Sequence, residues 1–230
     1  RAFAVGKIIK SNNPNFKDGE IVSGLFGWQR YAVSDGSSVV TRMTNIDQPQ
    51  SYALGILGLN GITAYCGLIY QGEPKPNETV VVSTAAGSVG SCVGQIAKIK
   101  GCRTVGITGG PTKVQQCLDE FGYDVSIDYK NTMDLGSAVD EACPDGVHVY
   151  FDNTCGLISD AVMENLGMHA RVIICGTSSV PDWIPLPTGP RVHRQLLVNR
   201  ARMSGLLIFD YKEHYAEAVQ KLSQWIAEGK

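Results

Sequence analysis

From about residue 60 onward, short apolar runs alternate with amphipathic stretches of about ten residues, and this alternation restricts the fold more than any other feature. The apolar runs cover 79–83, 103–108, 125–128, 147–151, 171–175 and 202–208, and helical patterns cover 89–100, 112–121, 133–142, 157–166, 191–199 and 212–228. Strand and helix in strict turn predict an α/β fold with a doubly wound parallel sheet. Strands of such a sheet are covered on both faces, which is why "TVVVS" and "RVIIC" read as continuous apolar runs. Before residue 60 the period is different. Runs at 4–10, 20–31 and 38–42, punctuated by Gly and Asp, predict short antiparallel strands.

The first run of the sheet leads into Ala85-Ala86-Gly87-Ser88-Val89-Gly90 and then into a helix. A glycine turn between a strand and a helix is where a dinucleotide pyrophosphate is held by backbone amides at the helix N-terminus. Gly87 permits close approach of the phosphates, and Gly90 permits close packing of helix on strand. Ala85 stands in place of the first glycine of that fingerprint. The second run ends in Thr108-Gly109-Gly110-Pro111-Thr112-Lys113, with no carboxylate to receive a ribose 2′-hydroxyl and with Lys113 at the start of the next helix. That pattern favours NADPH over NADH, although Lys113 is equally readable as a solvated surface residue.

Other classes of function are excluded by composition. The 230 residues carry a net charge of -2, with Lys and Arg scattered, so no footprint for nucleic acid or anionic lipid is present. No stretch is long and apolar enough to cross a membrane as a helix. His148, His169, His193 and His214 lie far apart, and the seven cysteines contain no CxxC pair, so no metal spacing is found. The odd cysteine number and the absence of a secretory leader predict reduced thiols and a cytoplasmic location. The chain lacks an initiator Met and stops directly after a helical pattern, from which we expect further sequence at both ends.

Several stretches together resemble one family: "GWQRYAV" (27–33), "GLNGITAYCGL" (58–68), "STAAGSVGSCVGQIAKIKGC" (83–102), "IDYKN" (127–131), "CPDGVHVYFDN" (143–153) and "LPTGPR" (186–191). They are similar to the zinc-independent medium-chain reductases of the prostaglandin reductase, leukotriene B4 12-hydroxydehydrogenase and alkenal double-bond reductase group. The resemblance implies part of a GroES-like catalytic domain over 1–57 and a Rossmann NADP-binding domain over 58–230, with flanking catalytic-domain segments beyond both ends. It implies NADPH contacts at Gly87, Ser88, Val89 and Gly90 for the pyrophosphate and at Lys113 for the 2′-phosphate. Tyr129, Asn153, Cys175, Gly176, Thr177 and Ser178 complete the implied set. Read as residues alone, Tyr129 is also a half-buried loop aromatic and Asn153 a turn former.

The implied reaction is reduction of the carbon-carbon double bond of an enal or enone. The alternatives are a quinone reductase of the same superfamily and an NADPH-binding protein without catalysis. Where several relatives have a tyrosine before the sixth strand, this chain has Asn199, whose amide can donate a hydrogen bond but cannot supply a proton. A helix-end cap is the other reading of Asn199. Thr154-Cys155-Gly156 replaces Val-Gly-Gly, and Cys155 adopts positive φ less readily than glycine. The resemblance further implies a homodimer formed through the edge near the sixth strand, where "RMSGLLIF" is apolar.

Overall fold

The computed structural model of the chain describes residues 2–43, 47–180 and 182–230. Two compact units divide the chain: Arg1–Thr63 together with Ile208–Lys230, and Ala64–Leu207.

In the first unit β1 (Ala4–Lys7), β2 (Ile21–Gly24) and β3 (Val39–Arg42) form an antiparallel sheet in that order. The strands are shorter than the sequence pattern predicts. After Lys7 the chain turns through residues tied by Ser11 and Asp18, and after Gly24 it bends at Gly27, whose φ is +77°, so residues 25–31 have no ladder partner. The helix α1 (Leu59–Cys66) continues into a π-helical turn, Gly67–Gly72.

The second unit is built on β4 (Thr79–Ser83), β5 (Arg103–Thr108), β6 (Val125–Asp128), β7 (Val147–Asp152), β8 (Leu166–Ile174) and β9 (Arg202–Gly205). All neighbours are parallel, in the order β6-β5-β4-β7-β8-β9. The connections are α2 (Ser88–Ile99), α3 (Pro111–Asp119), α4 (Leu135–Ala142), α5 (Gly156–Glu164) and α6 (His193–Asn199). Counted from β4, the order is 3-2-1-4-5-6, the doubly wound arrangement of a Rossmann sheet, and it reverses direction between β4 and β7. Every residue of β4 is buried, as the continuous valine run demands. One side of the core joins Val81, Val105 and Ile127 of the sheet to Val139 of α4 and Ile158 and Val162 of α5.

Three differences from the sequence expectation have physical causes. β8 starts at Leu166 rather than at 171, because a register shift and a left-handed His169 (φ +59°) interrupt a strand whose polar first half does not read as one. β9 ends at Gly205, and the chain then enters a 3-10 turn at Ile208–His214. The last helix, α7 (Tyr215–Ala227), packs with β3 in the first unit, whereas the sequence division placed it with the Rossmann domain. Its buried face is Ala218, Val219, Leu222 and Trp225, and Ser223 Oγ donates to Gln48 Oε1 at 2.8 Å. An amphipathic period shows that a helix covers something, not which sheet it covers.

The amino end of the parallel sheet is fastened by one side chain. Arg171, 8% exposed, donates through Nε to the Gly72 carbonyl (2.8 Å), through Nη1 and Nη2 to both Glu78 carboxylate oxygens (2.9 and 2.5 Å), and through Nη2 to the Glu73 carbonyl (2.9 Å).

Candidate cofactor site

The sequence-derived residues of the second unit follow β4, β5, β6, β7 and β8, so they gather along the carboxyl edge of the parallel sheet. Ligands of open α/β sheets bind there, at the crevice where the strand order reverses.

The β4–α2 turn is tight. Thr84 adopts φ +53°, and Gly87 N–H donates to its carbonyl at 2.8 Å. A Cβ on Gly90 would lie 2.2 Å from that carbonyl oxygen and 2.9 Å from Ala85 Cα, so any side chain there would push α2 off β4. Ala85 is accommodated because Gly106 of β5 has no side chain: a Cβ there would meet the Ala85 methyl at 2.8 Å. No side chain caps α2 at Gly87, and no acidic residue stands in its first turn. The first amides of α2 therefore form an electropositive terminus without a built-in anion, which fits a phosphate group. Tyr123 steadies the turn from beneath, its hydroxyl donating to the Gly90 carbonyl at 2.7 Å.

At the end of β5, Gly110 has φ +93° and donates its N–H to Asp128 Oδ1 at 2.8 Å. Tyr129 N–H donates to the Thr108 carbonyl at 3.0 Å, and a Cβ on Gly109 would lie 2.8 Å from Tyr129 Cε1, so the bare glycine lets the ring close over the turn. Lys113 is exposed in the first turn of α3, which also lacks acidic residues. The carboxylate of Asp128 is near, but its oxygens are committed to the N–H groups of Gly110 and Lys130 and to the Asn131 amide. The Gly110 hydrogen bond foremost holds the Asp128 carboxyl below the usual range.

Asn153 and the residues after β8 form one mesh. Asn153 donates its backbone N–H to Ser83 Oγ and its side-chain amide to the Ser83 carbonyl, both at 2.8 Å. The Asp152 carbonyl accepts from Cys175 and Gly176 N–H, and the Asn153 carbonyl accepts from Ser178 Oγ at 2.9 Å. A Cβ on Gly176 would lie 2.9 Å from the Asn153 carbonyl oxygen. Burial, then the Asp152 charge, pushes the Cys175 thiol up to about 11, so it stays protonated at neutral pH. Cys155 sits at φ +62°, ψ -170°, a conformation nearly reserved for glycine. The expectation that this position would strain a cysteine agrees with the backbone.

Sequence reasoning missed Asp152 and Ser83 and named Thr154 only as a departure from relatives; these three hold the mesh together. The available signal was an aspartate closing an otherwise apolar strand, "VYFD". Asn199 is the last residue of α6, and its Nδ2 donates to the Gln195 carbonyl within the same helix at 3.1 Å. It does not join the residues at the β4, β7 and β8 ends. A cleft of about 1010 Å³ opens in the first unit beside Asn13, Phe16, Phe26 and Tyr31, and none of the sequence-derived site residues lines it. Among the described residues no group of three His, Cys, Asp or Glu side chains is placed to hold a metal ion.

A doubly wound sheet carrying a glycine turn at its switch point, coupled in sequence to a small antiparallel sheet, defines the class: the chain belongs to the medium-chain dehydrogenase/reductase family. The Zinc-binding dehydrogenase family model matches residues 88–224, and the model for the N-terminal domain of oxidoreductase matches residues 1–41. Among relatives, the 2-alkenal reductase (NADP(+)-dependent) of Nicotiana tabacum is 37% identical over 230 residues, 99% of this chain and 66% of that protein. Prostaglandin reductase 1 of Mus musculus is 39% identical over 230 residues, 98% of this chain and 69% of that protein. The structure of CurA in complex with NADPH from Vibrio vulnificus has a TM-score of 0.83 at 40% identity, covering 99% of this chain and 68% of CurA. The chain thus spans about two thirds of the length of these relatives.

Proposed function

We propose that this chain carries the cofactor-binding part of an NADPH-dependent reductase that saturates the carbon-carbon double bond of enals and enones without a metal. The carrying observation is the carboxyl edge of the sheet, where an uncapped α2 terminus and Gly87 to Gly90 suit a pyrophosphate at the β4/β7 switch point. The activities named for the tobacco and mouse relatives, and the NADPH in the CurA complex, support the same reading.

In this reading the α2 amides and Gly87, Ser88, Val89 and Gly90 hold the pyrophosphate, and Lys113 with Tyr129 holds the 2′-phosphorylated adenosine. Asn153, Cys175, Gly176, Thr177 and Ser178 line the nicotinamide end. NADPH, when bound, supplies the hydride that adds to the β-carbon of the conjugated alkene. The chain's task is to fix the alkene in line and keep water from the reacting face. Asn199 offers only an amide already used on Gln195, so the α-carbon proton comes from water or from outside these residues. The reading assigns the Rossmann role to the parallel-sheet unit and the catalytic-domain role to the antiparallel one. It includes a homodimer through the exposed β9 edge and a reducing cytoplasm that keeps the free cysteines as thiols.

The test is oxidation of NADPH followed with an aliphatic enone, a quinone and an NADH control. Saturated ketone with NADPH preference is the expected product. Turnover of the quinone alone would move the assignment to a quinone reductase, and tight NADPH binding with no acceptor reduced would mark a non-catalytic binder.

A further inference from the structure

Among the described residues, the most heavily used side-chain acceptor is one that the cofactor contacts above do not include. Asp152 is 1% exposed, at the last position of β7, on one side of the crevice where the strand order reverses. Its Oδ1 accepts from Thr154 N–H (2.9 Å), Cys155 N–H (2.9 Å), Tyr150 OH (3.0 Å), Ser83 Oγ (3.2 Å) and Thr154 Oγ1 (3.2 Å). Its Oδ2 is buried and accepts from no described group. A neutral acceptor would close the turn at a smaller desolvation cost, so a buried carboxylate with one bare oxygen needs an explanation. What the charge adds is strength, because hydrogen bonds to an ionised acceptor are roughly twice as strong as neutral ones. Those bonds run in two directions. One set fixes the Thr154-Cys155 turn at the start of α5, and the other reaches Ser83, which precedes the glycine turn and is itself bonded twice to Asn153.

We propose that Asp152 is a positioning residue that locks the β7–α5 turn to the β4–α2 glycine turn, so that the pyrophosphate and nicotinamide halves of the cofactor are bound as one rigid site. This rests on the cofactor reading given above. In that reading the adenosine end is held by a separate system, the turns after β5 and β6 that meet at Asp128, which shares no hydrogen bond with Asp152. The two ends of the cofactor should therefore respond differently when Asp152 is altered.

The experiment is calorimetric titration of the wild-type chain and of Asp152→Asn with NADPH and, separately, with 2′,5′-ADP, which carries only the adenosine half. Asp152→Asn is expected to weaken NADPH by about tenfold or more, a loss of about 1.4 kcal/mol, and to change 2′,5′-ADP by less than about twofold. The fragment also reports that the variant is folded. Ser83→Ala, which removes the link to Asp152 together with the acceptor of the Asn153 N–H and keeps the Ser83 carbonyl, is expected to give the same selective loss at about threefold, and it decides the matter if Asp152→Asn does not fold. Equal losses for both ligands would overturn the proposal in favour of a general folding role, and unchanged NADPH affinity would overturn it outright. A wild-type chain that binds neither ligand would sink the cofactor reading itself, an outcome distinct from wild-type binding that the variants leave intact.

Discussion

Cys155 is the residue whose local cost is plainest. At φ +62° and ψ -170° a β-carbon is strained by roughly 1–3 kcal/mol, and the conformation persists because Asp152 Oδ1 holds the Cys155 N–H and Ser179 Oγ holds its carbonyl at 2.8 Å. Cys155→Gly is therefore expected to stabilise the chain by about 1 kcal/mol in urea unfolding, the relief of strain exceeding the added freedom of the unfolded glycine. An unchanged or lowered midpoint would mean that the thiol packs well enough to offset the strain. At this scale the glycine turn was legible in the sequence, because Gly87 and Gly90 are required by geometry local to one strand and one helix. Asp152 was legible only as an aspartate closing an apolar strand, and its reach to β4 was not. Four of its five donors lie within three residues of it, on Tyr150, Thr154 and Cys155, but the fifth, Ser83 at the end of β4, becomes a neighbour only once β4 and β7 pair, and no spacing rule within "FDNTC" reveals that pairing.

At the scale of elements, β8 depends on Arg171. The guanidinium joins the strand to the carbonyls of Gly72 and Glu73 and to Glu78, residues that lead from the π-helical turn into β4. Arg171→Met would leave Glu78 partly buried without its partner and two carbonyls without donors, and a loss of about 3 kcal/mol is expected in chemical unfolding. Burial pushes the Glu78 carboxyl up, but hydrogen bonds from Arg171 and from the Lys75 backbone outweigh it and hold the group below its ordinary 4.5. A depressed carboxyl contributes stability that is fully present above the unfolded pKa and disappears as pH falls through the folded one. The gap between wild type and Arg171→Met should thus narrow as pH drops below 4.5, and a gap independent of pH would show that packing, not charge, is what Arg171 supplies. The alternation of strands and helices was readable throughout this unit, since the central strands β4, β5 and β7 are continuous apolar runs buried on both faces. The first five residues of β8 were not, because the ladder passes from Leu166 to Arg171 through a register shift that skips Gly167, Met168 and His169, and no apolar pattern marks them as strand.

For the whole molecule, the division into two compact units bears on how it melts. Binding confined to the Ala64–Leu207 unit stabilises that unit by mass action, about 2.7 kcal/mol at a hundredfold excess over Kd. Scanning calorimetry with NADPH is expected to resolve two transitions, of which only one moves upward with ligand. A single transition that shifts as a whole would mean that the units unfold together. The sequence predicted the kinds of layer correctly but not the membership of α7, since nothing in a helical period names the sheet it will meet.

The first unit is split in sequence, with β1 to β3 at one end and α7 at the other, and the entire parallel sheet is encoded between them. On a ribosome the β1–β3 meander emerges before the parallel sheet, and the face that α7 covers waits for that helix until every strand of the Rossmann sheet has been made. Translation speed across residues 64–207 therefore sets how long that apolar face is open to chaperones or to wrong partners.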